Sequence, residues 1–198
     1  VDLLVRQARV IDGTGAPWFM GDVAVADGRI VAVGRNLDVD ATRSIDAAGR
    51  ILAPGFIDVH THADRGIGDL PRADNFVLDG VTTVVGGNCG GSEVDVGEWS
   101  AGLADLGINV ATLVGHNSIR QDVMGLADRP PTADVLEQMQ MLFDRAMKVG
   151  AVGFSTGLLS VPGTDATTAE VISLARAAAR LGGVSASHIR EQGAELHR

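Results

Sequence analysis

Pro54-Gly55-Phe56-Ile57-Asp58-Val59-His60-Thr61-His62 is the stretch on which the fold turns. A short apolar run leaves a Pro-Gly break and ends in two histidines one residue apart. Side chains at i and i+2 of a strand share a face, so both imidazoles are expected to project into the same space. Four more apolar, β-branched runs follow the same plan, at 82–85, 109–114, 151–154 and 183–186, each ending in glycine or polar residues. Helices are expected between the last three. Thr132 caps one of them, with Asp134 in its first turn, Val135, Met139, Leu142, Phe143 and Ala146 along one face, and Gly150 as its stop. Thr167 and Glu170 form a Thr-x-x-Glu capping box ahead of another, which Gly182-Gly183 ends. Shorter helices are expected over 73–78 and 99–106. Strands alternating with helices predict an α/β fold whose parallel sheet is covered on its outside. The period alone fits a doubly wound sheet and an incomplete barrel equally well.

Upstream of Pro54 the rhythm is different. Residues 3–11 read as a strand closed by Asp12-Gly13, and 22–26 and 29–33 flank Asp27-Gly28, a dipeptide suited to two-residue hairpins. A further strand pair is expected around Ile45 and Ile51, with Gly49 turning between them. Two domains follow: a small, sandwich-like β-module over 1–54, and an α/β region over 55–198.

Composition excludes several function classes. Of 198 residues, 45% are hydrophobic and 21% charged, an ordinary globular balance. No apolar run approaches the roughly 18 residues that span a bilayer, and the first residues do not read as a leader, so a cytoplasmic protein without a membrane partner is expected. A net charge of −9 with scattered arginines argues against a nucleic-acid surface. Cys89 is the only cysteine, which rules out an internal disulfide.

Parallel α/β folds gather their chemistry at the carboxyl ends of strands. Those ends read Asp58-Val59-His60-Thr61-His62, Gly86-Gly87-Asn88-Cys89-Gly90, Gly115-His116-Asn117, Ser155-Thr156-Gly157 and Ser187-His188-Ile189-Arg190. Four of the five carry histidine or cysteine, and of all such residues only His197 lies elsewhere. Neutral imidazole and thiolate are strong zinc ligands, so His60, His62, Cys89 and His188 form a candidate metal set. Asp58 is expected to orient a ligand histidine from behind. His116 and Arg190 are candidates for substrate contact, Ser155 and Thr156 for shaping their turn, and Asp64 and Asp69 for solvated loop positions.

These elements, with Ala8-Arg9-Val10-Ile11-Asp12-Gly13-Thr14 and Gly153-Phe154-Ser155-Thr156-Gly157-Leu158, resemble the amidohydrolase superfamily and, within it, the N-acyl-D-amino-acid deacylases. The resemblance is collinear over nearly the whole chain. It implies a (β/α)8 TIM-type barrel of which the first five βα units are present, holding one or two zinc ions. It also implies hydrolysis of the amide bond of a small N-acylated D-amino acid. In that reading His60 and His62 are first-strand ligands, Cys89 the thiolate that holds or bridges the metals, and His188 the fifth-strand ligand. Many relatives bridge two metals through a fourth-strand lysine. Here Lys148, the only lysine, falls at a helix end, which favours Cys89 as the bridge. The general-base aspartate is expected beyond Arg198, and the piece by itself is expected to be inactive. The family pattern also leads one to expect an aromatic residue where Leu159-Ser160-Val161-Pro162 stands. A cyclic-amide hydrolase like dihydroorotase or hydantoinase, or a non-catalytic scaffold, is the alternative, and homo-oligomerisation is left open.

Overall fold

The computed structural model describes residues 1–193; His197 lies outside them. Contacts divide the chain into two compact units, Val1–Gly55 and Phe56–Arg198.

The first unit is one mixed sheet. It contains β1 (Leu3–Val10), β2 (Phe19–Ala26), β3 (Arg29–Gly34), β4 (Arg43–Asp46) and β5 (Ile51–Leu52), in the order β3-β2-β1-β4 with β5 also on β1. Asp27 and Gly28 both take positive φ, 51° and 70°, and close the β2–β3 hairpin as the sequence predicts. The expected pairing of the Ile45 and Ile51 strands does not form. Both run parallel to β1 instead, one after the other. The chain loops out between them because β1 itself bulges at Gln7, whose φ is 56°. Buried Asp22 fixes that bulge by accepting from the Gln7 and Leu37 backbone N–H groups at 2.9 and 3.0 Å. Ala8, Val10, Val23 and Ala47 make the core of this unit.

The second unit settles the choice that periodicity left open. Its strands are β6 (Phe56–Asp58), β7 (Val81–Gly86), β8 (Asn109–Gly115), β9 (Gly153–Gly157) and β10 (Val184–His188). All pair in parallel, and their order in the sheet is their order in the chain. A doubly wound sheet must reverse direction at a switch point, whereas a barrel always steps the same way. This sheet never reverses; it is the first part of a barrel.

Among the described residues five α-helices link and cover these strands: α1 (Asp74–Leu78), α2 (Val96–Ala101), α3 (His116–Met124), α4 (Ala133–Lys148) and α5 (Thr168–Arg180). Thr132 caps α4 by accepting from the Val135 N–H. The helix expected over 99–106 begins earlier, at Val96, because the Asp95 carboxylate accepts from the Glu98 N–H and caps it there. Helix α3 has no counterpart in the expectations from sequence. Its buried face carries His116, Asn117 and Arg120 beside Ile119, so no apolar stripe announces it. Val114 and Phe154 of the sheet pack against Ile119, Met139, Phe143 and Leu174 of the helices, all with no exposed surface. Burying each of these large side chains contributes about 1.5–3 kcal/mol. Among the described residues no helix is long and apolar enough to cross a membrane.

Candidate metal centre

The strand β6 ends at Asp58, so the two histidines stand on the segment just beyond it. Alternation persists there: Thr61 is buried between exposed His60 and His62. Thr61 is tied to β7 by donating its N–H and its hydroxyl to the Val85 carbonyl, at 3.2 and 3.3 Å. Fully buried Asn88 strengthens that tie by donating to the Val85 carbonyl at 2.9 Å and reaching the Val59 and Thr61 carbonyls at 3.4 Å. With the backbone fixed on both sides of Thr61, the imidazoles are left side by side, ring centres 6.1 Å apart and nearly perpendicular.

Cys89 reaches them from the turn after β7. Its Sγ lies 3.4 Å from His60 Nε2, and the donor atoms of His60, His62 and Cys89 all lie within 4.8 Å of one another. Two imidazole nitrogens and one sulfur suit zinc. A tetrahedral ion with bonds of 2.0–2.3 Å sets its ligands about 3.5 Å apart, within small side-chain adjustments of this arrangement. Three protein donors also leave a coordination position for water or substrate. The residues present therefore fit a catalytic type of zinc site.

The other sequence candidates are placed differently. His188, on the far edge strand β10, is outside the three-donor group, and its Nε2 lies 2.7 Å from the Gln192 side-chain nitrogen. Asp58 accepts from the His60 backbone N–H at 3.1 Å; the group it holds is the main chain, not the imidazole. Arg190 donates to the Thr164 and Ala166 carbonyls. Asp64, expected in solvent, is 9% exposed, because the 3-10 turn Ala63–Arg65 folds it back against Gly86.

His116 has no exposed surface with which to touch a substrate. Its Nε2 pairs with Glu170 Oε1 at 2.8 Å and its Nδ1 meets Asn117 Oδ1 at 3.3 Å. Arg120, also fully buried, donates to both Glu170 oxygens at 2.9 and 2.8 Å and to the Ala127 and Arg129 carbonyls. Half of the expected capping box is present: Thr167 accepts from the Glu170 N–H, while the Glu170 carboxylate turns inward to this network. Burial disfavours the Glu170 anion, yet the hydrogen bond and charge of His116, with Arg120, hold its carboxyl below the usual range. Asn88 and Asn117 organise the region without having been picked out from sequence, and Ser155, expected to shape its own strand-end turn, bonds Gly87 and Gly90 of the turn after β7. Their signal was weak: polar side chains next to ligand-type residues at strand ends, with no solvent-facing period.

The chain is similar to known proteins over nearly its whole length. The model of the amidohydrolase family matches residues 43–197. N-acyl-D-glutamate deacylase of Alcaligenes xylosoxydans xylosoxydans is 39% identical over 98% of this chain and 44% of its own length. D-aminoacylase of the same organism is 35% identical over 98% of this chain and 46% of its own. The crystal structure of N-acyl-D-glutamate deacylase from Bordetella bronchiseptica, complexed with zinc and a phosphonate inhibitor that mimics the tetrahedral intermediate, superposes with a TM-score of 0.94. It is 39% identical, over 98% of this chain and 46% of that one. The chain thus spans somewhat under half the length of these relatives. The matched family model covers most of its residues, and the chain belongs to the amidohydrolase family.

Proposed function

We propose that this chain carries the first part of the active site of a zinc-dependent deacylase that hydrolyses the amide bond of N-acyl-D-amino acids. The convergence of His60, His62 and Cys89 at the ends of two neighbouring parallel strands carries this reading. Similarity to deacylases over 98% of the chain supplies the substrate class. Zinc bound there would supply Lewis acidity, polarising the acyl carbonyl and making the attacking water more acidic.

The protein's own groups do the remaining work. The imidazoles of His60 and His62 and the Cys89 thiolate hold the ion, and the Asp58 carboxylate holds the His60 main chain in place. His188 is proposed as a further ligand of a centre of one or two zinc ions, from the opposite edge strand, which would require its Nε2 to exchange Gln192 for a metal or its Nδ1 to be used. Arg190 spends two hydrogen bonds on carbonyls and retains further N–H donors for a substrate carboxylate. With Ser155 and Thr156 on β9, a lysine bridge of the cyclic-amide type has no residue to form it. A cytoplasmic location is part of the same proposal; among the described residues no helix is long and apolar enough to cross a membrane.

The test is zinc content and turnover of N-acetyl-D-glutamate and other N-acetyl-D-amino acids by the full-length protein. Stoichiometric zinc with release of the free D-amino acid is expected. Hydrolysis of cyclic amides alone would move the protein to the hydantoinase-like alternative; neither zinc nor hydrolysis would leave a scaffold.

A further inference from the structure

We propose that Ser155 is a positioning residue for Cys89, clasping the turn that presents the thiol to His60 and His62. Cys89 adopts φ 54°, a left-handed conformation that side chains with a Cβ resist. Among the described residues, the only hydrogen-bond contact of the Cys89 side chain is that of Sγ with His60. Something else must over-determine the turn.

Ser155 does so from a distance. It lies on β9, and β8 separates β9 from β7, where the Cys89 turn begins. Its fully buried hydroxyl donates to the Gly87 carbonyl and accepts from the Gly90 N–H at 3.0 Å. A hydroxyl has one proton and two lone pairs. Here the proton is used on the residue two before Cys89 and a lone pair on the residue after it, so one oxygen closes the turn on both sides. The Gly90 carbonyl is taken as well, by the Ser118 N–H at 3.1 Å. Gly90 itself can be no other residue: at φ 76°, a Cβ would stand 2.3 Å from Asn117 Oδ1. The turn has no room to shift sideways, and Ser155 sets its curvature. The hydroxyl bonds main-chain atoms on either side of Cys89, and it acts through Cys89.

The proposal deepens the zinc reading and rests on it for one arm of its test. In metal-free full-length protein, Ser155→Ala should raise the rate of Cys89 alkylation by iodoacetamide about tenfold. Zinc affinity should fall by about tenfold or more, as when groups supporting a ligand are removed. Thr156→Val serves as the control, because it deletes the neighbouring hydroxyl, which bonds Ser187 at 2.8 Å and does not touch the turn. Folded Ser155→Ala protein with both quantities within twofold of the parent would overturn the proposal, as would equal changes in Thr156→Val. A parent that binds no zinc would remove the metal reading and leave the alkylation arm to judge the clasp. If Ser155→Ala does not fold, amide exchange of Gly90 in the unsubstituted protein decides. Protection of about a hundredfold or more supports a clasped N–H, and exchange at the rate of an open loop refutes it.

Discussion

The second unit holds two clusters built around histidine, and they are opposites in kind. At the ends of β6 and β7, His60, His62 and Cys89 bring their possible ligand atoms within 4.8 Å of one another. Beneath α3, His116 faces the Glu170 carboxylate, and Arg120 supplies a fixed positive charge to both its oxygens. The first cluster is partly exposed and chemically incomplete. The second is fully buried, and its one carboxylate meets the Arg120 cation inside it. Histidine at a strand end therefore says little alone; what separates a metal centre from a structural ion network is whether the neighbours are donors like itself or an opposite charge.

Removing one member should affect the two clusters in different currencies. Glu170→Ala leaves the Arg120 guanidinium buried without its counter-charge, and breaking such a pair costs about 3–5 kcal/mol. Urea unfolding of metal-free protein should show that loss. A cost below about 1 kcal/mol would mean that water reaches Arg120 and that the network is not closed. Cys89→Ala should reverse the pattern. We expect unfolding free energy within about 1 kcal/mol of the parent, since the side chain is only partly buried and the substitute keeps the Cβ. Zinc affinity should fall at least about a hundredfold, or about 2.7 kcal/mol. Competition with a chromogenic chelator measures it. Zinc retained at parental affinity would break the contrast at its most important point.

The sequence disclosed the first cluster better than the second for a physical reason. His60, His62 and Cys89 are rare residue types placed where parallel strands end, and both facts are local. His116 was equally visible as a strand-end histidine, but its burial depends on Glu170, 54 residues later, and on a helix whose inner face is polar. The capping box at Thr167 was read correctly on its backbone side; where the Glu170 carboxylate points is decided by tertiary packing. Strand order, and with it the barrel, became certain only through pairing, because every run predicted a strand without naming its neighbour. His188 lies on the edge strand opposite β6 and outside the three-donor group, so the part proposed for it in the centre is one that no spacing encodes. Ser155 reaches across an intervening strand, and periodicity does not report such a contact.

Acid sharpens the contrast. The Glu170 carboxyl is held below its ordinary value near 4.5. A carboxyl depressed on folding contributes stability that is fully present above the unfolded value and is lost as pH falls through the folded one. Metal-free protein should therefore lose stability progressively below about pH 4.5, and Glu170→Gln should flatten that limb while lowering stability at neutral pH. An unchanged acid limb in Glu170→Gln would assign the acid loss to other carboxylates.

The smallest effect tests how far the metal centre's support extends. Asp58 touches the site only through the His60 backbone N–H, an exposed hydrogen bond at 3.1 Å that water can replace. Its loss in Asp58→Ala should cost about 0.5–1 kcal/mol in unfolding free energy, and zinc affinity should fall by no more than about fivefold. A carboxylate fixing the imidazole of a ligand histidine would be worth 10–100-fold in affinity. Asp58→Asn separates the two roles further, since an amide oxygen accepts from a backbone N–H as a carboxylate does but brings no charge. Near-parental zinc affinity in Asp58→Asn, with a small loss in Asp58→Ala, fits the backbone role. A loss above tenfold in both would show that the carboxylate's charge reaches the imidazole after all, and that His60 is oriented from its ring and not from its main chain.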